Sequence, residues 1–322
     1  MRIKGLLSVT SVGVEFFGKN GPNAFRSLES LEFEDMPKWE NWNFSEVDEE
    51  ARKFPSLRGL LIRNCPELLG SIPEYLPFLE KLVIFNCKRL VISIQSLPML
   101  SELNIYGCNK VEYKGSESDS SLKTVSLSKI PKFTCAAEWL GSIKVESLVI
   151  DGCEEFCWGL LTQSMSLGYL KIGNLPQLVP IGAEEERQEL MQYLKIPCSI
   201  QQLIIENCQK LEKLSTTLHY LTSLTVLELC FCPKLISLSK NNLPLNLKSL
   251  VILGCKSLEC LLEGENVNIS HPCLLEQLDI GYCQSLVSLS STGQLPTRLK
   301  QLRIFSCEKL ESIAQEIQDN SS

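Results

Sequence analysis

Apolar residues recur along this chain in one fixed phrase, L-x-x-L-x-[IL]-x-x-C-x-x-L. Leu57, Leu60, Ile62, Cys65 and Leu68 show it in full. The ninth position is Cys in nine copies: Cys65, Cys87, Cys108, Cys153, Cys208, Cys232, Cys255, Cys283 and Cys307. In three further copies Met36, Ile130 or Leu175 stands there, and a partial copy, Ile3, Leu6 and Val9, opens the chain. The L-x-[IL] step has period two, so its residues share one face of a short strand. The ninth residue follows where the chain turns inward. One such unit cannot bury its apolar face alone, whereas a stack of them buries a continuous core. The pattern therefore predicts a single domain over residues 1–322, a solenoid of about 12 full repeats plus the partial first one.

This phrase resembles the leucine-rich-repeat signature in its Cys-containing form. The expected fold is an α/β solenoid, a curved horseshoe with a parallel sheet on its concave face. Its convex side is expected to be mostly irregular or short-helical. Successive first leucines mostly lie 21 to 24 residues apart. Twelve strands at the usual spacing give a sheet about 55 Å long. The longer gaps of 29, 33 and 28 residues, after Leu28, Leu167 and Leu247, are expected to loop out on the convex or rim side. Within the extra segments, Ser45–Lys53 has capping-box spacing and Ala183–Lys195 has acids early and Lys late. Both are read as short, solvated surface helices.

Composition narrows the function. A net charge of −7 and a pI near 5.2 argue against nucleic acid or an anionic membrane as the main partner. No apolar run reaches membrane-spanning length. Nine of the fifteen cysteines fall on inward-facing sites, where Cys behaves as a small hydrophobe. That usage fits a reduced, cytoplasmic protein better than a disulfide scaffold. The Asn-x-Ser triplets at Asn43, Asn268 and Asn320 are read as coincidental in a chain rich in both residues.

No catalytic, cofactor or metal constellation emerges. The two histidines, His219 and His271, lie in connecting segments, and neither stands beside a distinctive Ser or Cys motif. The candidate ligand pairs are Cys230-x-Cys232, His271-Pro272-Cys273 and Cys153-x3-Cys157, and these do not assemble a tetrahedral set. Gly13–Lys19 fits G-x4-G-K of a phosphate loop. Asn20 replaces the Mg²⁺-binding hydroxyl, and Gly21-Pro22-Asn23 cannot open the required helix. The reading is a non-enzyme without cofactors.

What remains is binding. Side chains between and just after the strand anchors point to solvent on the concave face. The candidate protein-binding residues are Arg63, Phe85, Tyr106, Asp151, Lys171, Glu206, Glu228, Asp279, Arg303 and Phe305. Leu61, Val83, Asn104, Val149, Ile204 and Val251 share that face. Phe85 and Tyr106 occupy equivalent positions on adjacent strands and are expected to stack. Exposed aromatic patches of that kind mark protein interfaces, although strands also favour such residues intrinsically. The first full strand is acidic instead, with Glu32, Glu34 and Asp35.

The stretch Phe25–Trp42, with Trp39 and Trp42, resembles a phrase of plant disease-resistance proteins of the coiled-coil, nucleotide-binding, leucine-rich-repeat class, in the RPP13-like subgroup. Phe54–Leu68, Leu76–Leu82 and Leu97–Leu100 continue the likeness. The resemblance implies a non-catalytic recognition region of an intracellular immune receptor. Such a region senses a pathogen effector or a guarded host protein, and acts in cis on the nucleotide-binding domain of the parent receptor. Neither a coiled coil nor a true phosphate loop stands in these residues. Ile3 enters mid-repeat and the next first-leucine falls due where the chain stops, so a piece of a larger receptor, or a truncated gene product, is expected. The alternative is a cytosolic repeat adaptor such as the substrate arm of a ubiquitin ligase. Adaptor repeats usually follow Cys with x-x-[IL]-T-D-x-G-L, whereas the connections here are rich in Leu and Pro, as in Leu243-Pro244-Leu245.

Overall fold

A computed structural model describes residues 1–13, 16, 25–43, 54–70, 72–73, 76–94, 97–113, 121–135, 144–153, 166–175, 196–212, 214, 218–236, 238, 243–262, 274–290 and 295–313. Those residues fall into two compact units, Met1–Ser166 and Leu167–Ser322. Each is a leucine-rich-repeat solenoid built on a ladder of parallel strands.

In the first unit the ladder runs β1 (Arg2–Lys4), β2 (Ser30–Glu34), β3 (Gly59–Arg63), β4 (Lys81–Phe85), β5 (Glu102–Tyr106), β6 (Thr124–Ser128) and β7 (Ser147–Asp151). In the second it runs β8 (Tyr169–Gly173), β9 (Gln202–Glu206), β10 (Val226–Cys230), β11 (Ser249–Leu253), β12 (Gln277–Gly281) and β13 (Gln301–Phe305). Equivalent repeat positions pair without slippage: Leu60 with Leu82, Leu82 with Leu103, Leu250 with Leu278. A one-residue slip would turn every leucine to solvent, so burial of one face fixes the register.

Each strand ends in the same backbone device. The residue directly after it has positive φ at all thirteen positions: Gly5, Asp35, Asn64, Asn86, Gly107, Lys129, Gly152, Asn174, Asn207, Phe231, Gly254, Tyr282 and Ser306. This left-handed residue breaks the strand and swings the next side chain into the core. Its amide stays on the ladder, as Asn64 N donating to Phe85 O (2.9 Å) and Asn207 N donating to Cys230 O (2.9 Å) show. The Cys that follows is buried at eight of nine sites. Its thiol donates to the carbonyl two residues back, from Cys65 to Arg63 O (3.3 Å) and from Cys283 to Gly281 O (3.4 Å). A side chain of that size fills the corner and satisfies one turn carbonyl. Burial pushes the Cys108 thiol up to about 12 and those of Cys153 and Cys283 up to about 11, so all three stay protonated at neutral pH. Cys307 departs from the expectation: it is half-buried, and among the described strands β13 has one ladder neighbour, β12.

Among the described residues, two β-turns recur in most coils. After Cys, the amide of the twelfth residue donates back to the Cys carbonyl, as from Leu90 to Cys87 (3.1 Å) and from Leu235 to Cys232 (3.2 Å). Before the strand, Leu79 N donates to Leu76 O (3.1 Å) and Leu100 N to Leu97 O (3.0 Å), with Pro77 and Pro98 at the position where a fixed φ near −65° suits the turn.

Some return segments add short strands to the mostly irregular convex side. Val91–Ile94, Lys110–Tyr113 and Lys132–Cys135 form a small parallel sheet, and Ser11–Val12 pairs Asn41–Trp42, as Cys260–Leu262 pairs Ser288–Ser290. Period-two residues such as Ile92 and Ile94, both buried, drive this. Leu218–Tyr220 forms a 3₁₀ turn. The segments read as helices, Ser45–Lys53 and Ala183–Lys195, lie outside the described residues, as do His271 and most of Gly13–Lys19. The Trp39 and Trp42 phrase forms core: their rings pack on Phe33 at 4.6 and 5.2 Å between centroids.

Candidate protein-recognition surface

The first, third and fifth residues of each ladder strand face away from the core. All ten sequence-predicted residues occupy such positions. Phe85, Arg303 and Phe305 are exposed, and Arg63, Tyr106, Asp151, Lys171, Glu206, Glu228 and Asp279 are half-buried. Val83 does not join them as a solvent contact: it is 8% exposed, because its short branched side chain sinks between Leu61 and Asn104 in register.

In the first unit, the last strand positions form one row: Arg63, Phe85, Tyr106, Ser128 and Asp151. The Phe85 and Tyr106 rings stack, with centroids 4.6 Å apart and planes 11° from parallel. Lys129 extends the stack, its ammonium 5.0 Å from the Tyr106 centroid. The phenol of Tyr106 pushes the Lys129 ammonium up from its ordinary value, chiefly through a hydrogen bond. Ring, ring and cation thus cover three successive coils, with Phe85 42% exposed. Such a stack is rigid before any partner arrives, so little side-chain entropy remains to be lost on contact.

The acidic row of β2 is largely neutralised. Arg2 bridges Glu32 (3.4 Å) and Glu34, Lys4 reaches Glu34 (2.9 Å) and Asp35 (3.5 Å), and Arg63 lies 3.8 Å from Glu32. Arg2 and then Lys4 hold the Glu34 carboxyl below its ordinary range.

In the second unit the third strand positions run Lys171, Ile204, Glu228, Val251, Asp279 and Arg303 in register. Lys171 pairs with Glu206 (2.6 Å) and Arg303 with Asp279 (3.3 Å). Two aromatic residues that strand periodicity missed, Phe231 and Tyr282, stand just beyond β10 and β12 at positive φ. A signal for them was present in the sequence. The residue before Cys is Asn or Gly in most repeats, so a bulky ring there is out of place. Among the described residues no group of three or more His, Cys, Asp or Glu side chains is placed to hold a metal ion. None of the described helices is long and apolar enough to cross a membrane.

No family model matches the sequence. A disease resistance RPP13-like protein 1 of Arabidopsis thaliana is 37% identical over 96 residues, which is 28% of this chain and 9% of that protein. A second disease-resistance protein of the same plant is 36% identical over 85 residues, 26% of this chain and 6% of its own length. The matches thus span under a tenth of either relative. The functional domain of InlJ from Listeria monocytogenes, which includes a cysteine ladder, aligns over 97% of this chain and 66% of its own, at 14% identity and a TM-score of 0.52. At that identity the likeness establishes the repeat fold.

Proposed function

We propose that this chain is the protein-recognition region of a plant immune receptor. It senses a pathogen effector, directly or through a guarded host protein, and acts in cis on the nucleotide-binding domain of its parent. The whole chain works as one repeat domain, inside the cell, and performs no catalysis. The observation that carries this reading is the Phe85–Tyr106–Lys129 stack, a preformed aromatic surface on the open face of the ladder. The two disease-resistance relatives supply the biological setting. The ten named face residues are the proposed contacts, with the aromatic pair dominant because rigid rings concentrate binding energy.

The test is a cell-death assay in leaves expressing the full-length receptor with its cognate effector. The Phe85→Ala/Tyr106→Ala receptor, accumulating to wild-type level, is expected to lose the response. An undiminished response would overturn the assignment of recognition to this face.

A further inference from the structure

The second unit carries another surface of a different chemistry. Phe231, Tyr282 and Phe305 are 48%, 54% and 40% exposed, and all three lie along the strand-end edge of β10 to β13. Tyr282 and Phe305 meet edge-to-face at 5.2 Å. Phe231 leans across to the next coil, where a Cβ on Gly254 would fall 2.6 Å from its ring. Phe305 leans the other way, where a Cβ on Gly281 would fall 2.3 Å from its ring. Two glycines thus leave the space that two rings occupy, and the three rings line one edge of four coils, a platform about 14 Å long.

The backbone argues that this platform is held for a purpose other than folding. Phe231 and Tyr282 have φ of 55° and 56°, in the left-handed region where a bulky side chain is an outlier. Asn64, Asn86, Asn174 and Asn207 occupy the same repeat position. Asn tolerates that region far better, and an exposed ring adds nothing to the core.

Charge beside the platform defines its occupant. The outward ladder positions of the second unit hold three carboxylates, Glu206, Glu228 and Asp279, and two cations, Lys171 and Arg303. Both cations are already committed, to Glu206 and Asp279. Glu228, half-buried on β10 between Ile204 and Val251, has no opposite charge among the described ion pairs. We infer that this edge binds a protein segment carrying a basic side chain next to apolar or aromatic ones. The basic group pairs with Glu228, and the apolar groups lie on Phe231, Tyr282 and Phe305. The inference rests on the protein-recognition reading and names the partner chemistry for the second unit.

The experiment is selection of a random peptide library displayed on phage against the purified chain. Enriched peptides are then measured on Phe231→Asn/Tyr282→Asn, on Glu228→Gln and on Phe85→Ala/Tyr106→Ala. The Asn variants take the residue that other coils use at that site, so they fold with an unchanged or raised unfolding midpoint. Enriched peptides are expected to join Lys or Arg to an aromatic or branched apolar residue. Their binding should weaken about tenfold or more on Phe231→Asn/Tyr282→Asn. Glu228→Gln should remove the preference for the basic residue and keep the apolar one. Acidic consensus peptides, or binding unmoved by these variants, would overturn the proposal. Binding lost on Phe85→Ala/Tyr106→Ala alone would refute this edge and leave the recognition reading standing. Absence of any enrichment would count against both.

Discussion

At the residue scale, the position after each strand decides more than its side chain suggests. Asn, Asp and Gly hold it in most coils because their backbones enter the left-handed region at low cost. Where Gly254 stands, the neighbouring Phe231 ring needs the empty space as well as the conformation. Gly254→Ala should therefore destabilise the protein by about 1–2 kcal/mol from backbone strain, before counting the displaced ring. Chemical denaturation would measure it; a neutral result would show that the turn relaxes. The ninth position shows the complementary constraint. Cys255 is fully buried, with its thiol within hydrogen-bonding reach of Leu229 O (3.7 Å) and Leu253 O (3.8 Å). Cys255→Leu should cost about 1–3 kcal/mol, because a filled corner cannot take the added volume without shifting its neighbours.

At the element scale, the ladder was legible because period-two leucines and a twelve-residue phrase admit one register. Leu60, Ile62 and Cys65 all point inward as the spacing requires, and so do their counterparts in the interior coils. The stacked partners Phe85 and Tyr106 followed from the same register. The small return-side sheets were not legible, since Val91–Ile94 is too short to separate from a loop by pattern alone. Phe231 and Tyr282 escaped notice for a related reason: they lie one residue past the strand, where periodicity no longer assigns a face. Three thiols of the column add a pH dependence. In the folded chain burial raises Cys108, Cys153 and Cys283 above the ordinary thiol value of about 8.5. The folded state then holds protons that the unfolded state releases. This stabilisation is complete below about pH 8.5 and is lost as pH rises through 11 to 12. Stability measured from pH 8 to pH 11 should fall, and Cys153→Val should flatten the decline. An unchanged slope in that variant would remove the thiol from the explanation.

At the scale of the whole molecule, each unit is a quasi-one-dimensional stack in which a coil is stabilised by its two neighbours. Among the described coils the last, with a single ladder neighbour, buries less, as half-buried Leu302, Ile304 and Cys307 show beside the fully buried Leu278 and Ile280. Thiol labelling of the native protein should reflect that gradient. Among the described cysteines, exposed Cys198 is expected to react first, Cys230, Cys260 and Cys307 next, and the eight buried column thiols only as the chain unfolds. Fast labelling of Cys87 or Cys232 in the native state would contradict the packing. Function at this scale follows from surplus: the core uses the inward residues of every strand, and the open face is left for rings and charges. The most direct measurement of that claim is calorimetry of the purified chain with the effector or guarded protein proposed as its partner. Phe85→Ala/Tyr106→Ala should weaken binding by about 2 kcal/mol or more, with little change in unfolding midpoint. Equal affinity of the wild-type and doubly substituted chains would place recognition elsewhere and contradict the account.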